Sequence, residues 1–80
     1  MLVQCTLMAP AEAQAFEAAI RASGRDPRVF RAQVFEAAND PSPWRRVHVV
    51  APRASAQYEA SEGVAWTESF ARHLARGLFG

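Results

Sequence analysis

The larger apolar residues of this chain fall into six segments, each with the spacing of a strand or of a helix. Alternating or nearly continuous apolar residues predict strands, and apolar residues three or four positions apart predict helices. Proline and glycine between the segments indicate turns. The predicted elements are strand 2–8, helix 10–23, strand 28–38, strand 44–51, strand 54–60 and helix 64–79.

Two segments have helical spacing and good stop or start signals. In helix 10–23, Pro10 occupies the favoured first position, Phe16 and Ile20 lie four residues apart, and Gly24 ends the helix. In the second helix, large apolar residues recur at every fourth position and define a stripe: Trp66, Phe70, Leu74 and Leu78. Both stripes are expected to pack against a sheet.

Strands 28–38 and 44–51 predict a β-hairpin, because the residues between them are typical of a loop. One register gives both strands consistent faces. It sets Ala37 opposite Trp44, and it makes an ion pair across the strands at the loop end of the apolar face. The paired charges are Glu36 and Arg45. That apolar face, the predicted floor of the core, consists of Phe30, Ala32, Val34, Val47, Val49 and Ala51.

The other face of this hairpin mixes aromatic residues with arginine. It meets solvent if both helices pack on the apolar face, and it is then either simply solvated, shielded by the termini of the chain or used for binding. Exposed tryptophan and arginine are enriched at the energetic centres of protein interfaces, and aromatic rings beside arginine also suit the stacking of nucleic-acid bases. The candidate binding residues are therefore Arg31, Gln33, Phe35, Trp44, Arg46 and His48.

These elements predict a single small α+β domain over residues 1–80, in the order β-α-β-β-β-α. We expect a sheet of three to four strands with two helices packed on one face. Strand 2–8 has two possible places, beside strand 28–38 or in another chain by swapping. Alanine disfavours strand 54–60, although its apolar residues alternate as a strand requires.

From residue 10 to residue 79, the predicted α-β-β-β-α order is similar to that of double-stranded RNA-binding domains. In that family the second helix opens with a lysine-rich, alanine-containing signature. The matching stretch here, residues 62–68, is EGVAWTE and holds no basic residue. The resemblance therefore covers the order of elements alone, and topology does not determine function.

Composition and charge narrow the classes of protein further. The chain has 80 residues, of which 50% are hydrophobic, but 17 of these are alanine and add little to a core. A chain of this length forms one domain with a thin core, so association with a second copy would add stability. The formal charge of +1 does not create the broad positive field typical of nucleic-acid-binding proteins.

The sequence holds no standard catalytic motif: P-loop, dinucleotide fingerprint, nucleophile elbow and HExxH are all absent. We therefore predict that the protein is not an enzyme and needs no cofactor. His48 and His73 with Cys5 or Glu36 would be a minimal zinc set, but their spacing does not support one. We expect Cys5 to be a buried structural cysteine.

Two residues of the second helix also invite an interpretation. His73 is expected to lie in the core or at its rim, because it stands beside the apolar stripe. Gly77 lies on the same side and suggests a close approach to another backbone, either that of the sheet or that of a second chain.

The expected location is the cytoplasm of a bacterium. All nine basic residues are arginine, which together with the alanine excess is typical of a GC-rich genome. A single cysteine fits a reducing compartment. The N-terminus lacks a basic region and a long apolar region, and no apolar run approaches the roughly 18 residues of a membrane span.

Two functions follow as hypotheses. The first is a protein-interaction module whose partner is another protein or, as we prefer, a second copy of itself. It would bind through the aromatic and arginine-bearing sheet face or through an open strand edge. The second is a nucleic-acid-binding module, whose binding would fall steeply with salt. Its contacts would come from Arg31, Arg45, Arg46 and Arg53.

Overall fold

Strands and helices follow one another in the predicted order β-α-β-β-β-α, and the predicted α+β fold is confirmed. The structure, a computed structural model, describes residues 3–37 and 43–80, so most of the predicted loop 39–43 lies outside the described residues. The strands are β1 (Val3–Thr6), β2 (Arg31–Ala37), β3 (Trp44–Val50) and β4 (Ser55–Glu59). The helices are α1 (Pro10–Ala22) and α2 (Trp66–Ala75).

The four strands form one antiparallel sheet in the order β1-β2-β3-β4. The predicted hairpin register is confirmed, with Ala37 opposite Trp44 and Val34 opposite Val47. β1 pairs with β2 of the same chain, so the strand lies beside its own hairpin rather than in a second copy. The doubtful last strand is present as β4.

β2 begins three residues later than predicted, because Pro27–Val29 form a short 3-10 helix. The side chain of Asp26 accepts a hydrogen bond from the backbone N–H of Arg28 at 2.9 Å and caps this turn. The ring of Pro27 presets a helical φ at its first position. Phe30 consequently lies outside the paired part of the strand but is still buried in the core.

Both helices pack on the predicted apolar face of the sheet. α1 contributes Phe16 and Ile20, and α2 contributes its aromatic residues and Leu74. Phe70 stands at the centre, with its ring centroid 5.1–6.0 Å from five other rings. Those rings belong to Phe16, Phe30, Tyr58, Trp66 and Phe79. An alanine-rich chain thus obtains its core from a cluster of interlocking aromatic rings.

The end of the second helix differs from the prediction. α2 stops at Ala75, and Gly77 has a φ of 76°, a left-handed conformation that favours glycine. The turn resets the helical spacing, so Leu78 is 54% exposed and Phe79, at 6%, packs into the core instead. A Cβ at Gly77 would meet no atom within 4 Å, so this glycine serves the turn and not a close backbone approach.

β1 is also more open than predicted. Cys5 is exposed, and the expectation of a buried structural cysteine is wrong. The reason is that β1 is an edge strand, and Cys5 lies opposite Phe35 on the side of the sheet without helices. Within the described residues, neither helix is long and apolar enough to cross a bilayer.

Candidate functional site

The side of the sheet without helices carries all six predicted binding residues. Residues directly opposite each other in antiparallel strands point to the same face, and the pairs Phe35–Arg46 and Gln33–His48 establish this for β2 and β3. We call this surface the open face. Its described positions are Val3, Cys5, Arg31, Gln33, Phe35, Ala37, Trp44, Arg46, His48, Val50, Ser55, Gln57 and Glu59.

The register separates the open face into an apolar end and a polar end. Where β1 is present, the face carries apolar side chains, and we name this set the apolar end: Val3, Cys5, Phe35, Ala37 and Trp44. Where β1 is absent, the face is mainly polar and includes Arg31, Gln33, His48, Gln57 and Ser55. From the sequence alone this face was a mixture of aromatic residues and arginine. Its two ends could not be distinguished, because the partner of β1 was not determined.

Arg46 joins the two ends of the open face. Its guanidinium carbon lies 4.7 Å from the centroid of the Trp44 ring, which is a cation–π distance. Its Nε lies 3.7 Å from a carboxylate oxygen of Glu59 on β4. A hydrogen bond from Ser61 and the charge of Arg46 lower the pKa of Glu59, so this carboxylate is ionised at neutral pH. The arginine is thus oriented by its neighbours before any partner arrives.

A buried charge cluster lies on the opposite side, between the sheet and the helices. Glu12 of α1 is only 2% exposed. Arg45 of β3 donates to both of its carboxylate oxygens at 2.6 Å, and the indole N–H of Trp66 donates to one of them at 2.7 Å. These contacts, chiefly the hydrogen bonds from Arg45, lower the pKa of Glu12. The cluster ties α1, β3 and α2 together.

Arg45 is further occupied by contacts on the same side of the sheet. It donates to Glu36 and to the backbone oxygen of Ala60, both at 3.2 Å. The predicted pair between Glu36 and Arg45 therefore forms, but Glu12 is the partner that the sequence reasoning missed. A signal was present: Glu12 precedes Phe16 by four residues and so shares the buried stripe of α1.

His73 and His48 lie on opposite sides of the sheet. His73 is half-buried at the rim of the core, as predicted, with its Nδ1 2.7 Å from the hydroxyl of Tyr58. Burial raises the pKa of Tyr58 to about 12. His48 lies on the open face, so the zinc set considered from the sequence is not brought together. Over residues 3–37 and 43–80, no three His, Cys, Asp or Glu side chains form a group that could hold a metal.

Comparison with known proteins finds no matching family model, no matching curated protein and no matching solved structure. The geometry of the open face and of the buried charge cluster is therefore the basis for interpreting function. The charge cluster has its carboxylate oxygens engaged by Arg45, Trp66 and the backbone of Ala9. On the open face, Arg46 is exposed, whereas Phe35 and Trp44 are half-buried and Ala37 is buried. Neither helix covers this face, and it is a surface that can meet a partner.

Proposed function

We propose that this protein is a non-catalytic interaction module that binds a second copy of itself through the apolar end of the open face. The observation that carries this proposal is an apolar cluster, with the half-buried Trp44 and Phe35 at its centre, on a face that neither helix covers. A contiguous apolar patch on a small domain is typical of a contact surface. Aromatic residues and arginine are also the residue types enriched at such contacts.

The charges beside this patch favour a second copy as the occupant. A two-fold contact places the same surface on both partners, so the surface must complement itself. Arg46 and Glu59 lie in one row of the open face, so each copy offers both a cation and an anion. When two open faces meet with opposite orientation, Arg46 of one copy can approach Glu59 of the other.

Nucleic acid is less well supported as the partner. Of the arginines in that hypothesis, Arg45 points to the core side and is bound to Glu12 and Glu36. Arg46 is partly neutralised by Glu59. Arg31 and Arg53 are exposed, but two cations with a formal charge of +1 for the chain do not form a broad phosphate-binding surface.

Sedimentation velocity across a concentration series tests the self-association. We expect a monomer–dimer equilibrium that Trp44→Ala weakens by about tenfold or more, because central aromatic residues dominate interface energetics. Leu78→Ala is the matched control, since Leu78 is exposed but lies outside the open face. A protein that stays monomeric at high concentration, with or without Trp44, would contradict the proposal.

Titration with RNA and DNA oligonucleotides at low and high salt is the second arm of this test. The proposed function predicts no binding at low salt. Binding that falls steeply as salt rises would instead support the nucleic-acid module, because phosphate contacts release counterions.

We also propose that the protein acts in the cytoplasm. Cys5 is an exposed thiol at the apolar end of the open face. A reducing compartment keeps such a thiol from forming a disulfide with its counterpart in a second copy. A reversible contact through this face is compatible with that environment.

A further inference from the structure

Among the described strands, β4 pairs with β3 alone, so the backbone groups on its outer edge have no strand partner there. The backbone oxygen of Arg45 accepts from the N–H of Ala60 at 2.8 Å, and the N–H of Ala51 donates to the oxygen of Ala54 at 2.8 Å. In an antiparallel strand, successive residues direct their backbone hydrogen bonds to opposite sides. The residues of β4 that bond to β3 are therefore Ala56 and Tyr58. The backbone groups of Ser55, Gln57 and Glu59 point away from the sheet.

Most of the devices that usually protect such an edge are absent from β4, which is short and carries one charged residue, Glu59. Natural sheets protect edge strands with proline, lysine, bulges or a covering element. β4 has the sequence SAQYE, without proline or a basic residue, and it pairs with β3 without a bulge. In the described part of the chain, α2 approaches β4 from the covered face, through Tyr58, and leaves the three outward-bonding residues exposed.

The sequence of β4 is also suited to pairing with itself. An antiparallel pair centred on Gln57 uses the whole strand and sets Gln57 opposite Gln57 of a second copy. Ser55 then lies opposite Glu59 of that copy, so a hydroxyl donor faces each carboxylate. No like charges stand directly opposite each other in this pair. Like charges in that position would destabilise a cross-strand pair.

We propose that β4 pairs with β4 of a second copy about a two-fold axis at Gln57, which joins two sheets into one of eight strands. This contact lies at the sheet edge and does not rest on the proposed function, which concerns the open face. The enlarged sheet keeps both open faces on one side. Because a single strand pair buries little area, the edge dimer is weak and concentration-dependent.

Amide hydrogen exchange, followed by NMR over a dilution series, tests the edge contact directly. The amides of Ser55, Gln57 and Glu59 are expected to become protected as concentration rises. Those of Ala56 and Tyr58 serve as internal references, since they already donate to β3 and stay protected at every concentration. Outward amides that exchange freely at the highest concentration, beside protected references, overturn the proposal.

A proline substitution can disrupt the edge contact without removing a hydrogen bond between β4 and β3. Gln57→Pro removes an N–H that points away from the sheet, and edge strands tolerate proline at such positions. We expect it to abolish the protection of Ser55 and Glu59, whereas Gln57→Thr, which keeps the N–H, retains it. Gln57→Lys provides a second variant if the proline variant does not fold, because it sets two like charges across the axis.

Trp44→Ala distinguishes the edge contact from the open-face contact. The edge proposal predicts that this variant still shows concentration-dependent protection of Ser55, Gln57 and Glu59, because Trp44 lies on β3 and away from the edge. Loss of that protection in Trp44→Ala, or its survival in both Gln57→Pro and Gln57→Lys, overturns the edge contact.

Discussion

The two faces of β3 show how one strand serves two purposes. Val47 and Val49 point to the covered face and are both 0% exposed, whereas Arg46 and Val50 point to the open face and meet solvent. The covered face is occupied by two helices of the same chain. The open face has the same strand length and backbone, and over residues 3–37 and 43–80 no helix lies on it, although Ala37 at its apolar end is buried. Packing against the helices therefore stabilises one side of the sheet, and the proposed contact uses the other side.

The two faces also treat charge differently. On the covered side, Glu12 and Arg45 form two short hydrogen bonds with almost no water access to the carboxylate. On the open face, Arg46 and Glu59 lie farther apart and remain exposed. A buried ion must keep its partner, whereas an exposed pair contributes little to stability and can exchange partners.

Removal of the buried carboxylate of Glu12 is expected to have the largest effect on stability. Glu12→Ala leaves the indole N–H of Trp66 without its acceptor and Arg45 without its two shortest hydrogen bonds, and it is expected to lower the free energy of unfolding by about 3 kcal/mol. Urea denaturation measures this change. The control is Glu17→Ala on the exposed side of α1, where a salt bridge of 3.6 Å to Arg21 is worth about 0.5 kcal/mol or less.

Glu12→Ala should also change the acid limb, which is the fall in the free energy of unfolding as the pH decreases. The folded-state pKa of Glu12 lies below its ordinary value, so the unfolded chain takes up this proton first as the pH falls. The stabilisation is complete above the ordinary glutamate pKa and is lost as the pH falls towards the lowered value. Glu12→Ala should therefore flatten the acid limb, and equal limbs in both proteins would show that the cluster is not charged as described.

The same truncation at two adjacent residues of β3 should lower stability by different amounts, because the two side chains point to different faces. Val49→Ala removes buried methyl groups beneath the helices and is expected to cost about 2 kcal/mol. Val50→Ala makes the same chemical change at a position that is 41% exposed, and it should cost less than about 0.5 kcal/mol. Equal losses in thermal or urea unfolding would mean that Val50 is covered in solution, and that the contact surface extends beyond the apolar end of the open face.

The smallest effect concerns the hydroxyl of Tyr58 at the rim of the covered face. Tyr58→Phe removes its hydrogen bond to His73 and should cost about 1 kcal/mol at neutral pH. The folded-state pKa of Tyr58 is about 12, above the ordinary value of 10.0, so the unfolded state ionises first as the pH rises. Wild-type stability should therefore fall between these two values, and the gap between the two proteins should close above pH 10. A gap that stays constant over this range contradicts the buried environment.

The fold was largely predictable because the hairpin has one register that keeps both strand faces consistent. Alternation in β2 and β3 predicts the core floor and the open face residue by residue. β1 could not be placed, since a short strand that is apolar almost throughout carries little alternation to set its partner. The predicted end of α2 was wrong. Leu78 continues the four-residue apolar spacing in the sequence, but the left-handed turn at Gly77 ends the helix before it.

The candidate site was predictable in membership but not in arrangement. All six predicted residues share the open face, as hairpin parity requires. Their division into an apolar and a polar end depends on β1, whose pairing is a long-range contact. The buried cluster was missed because Glu12, although it shares the stripe of Phe16, looks like a solubilising residue of an alanine-rich helix, as the exposed Glu17 is. Its burial follows only when the partners on β3 and α2 are considered together.

Glu12 reaches Arg45 across 33 residues and Trp66 across 54 residues of sequence. Such distant contacts close long loops of the chain, so we expect them to form late in folding, after the hairpin and together with the equally distant ring contacts of Phe16. An interaction that forms after the transition state acts mainly on the unfolding rate. The cluster then slows unfolding. Glu12→Ala should increase the unfolding rate in a denaturant-jump experiment and leave the refolding rate nearly unchanged.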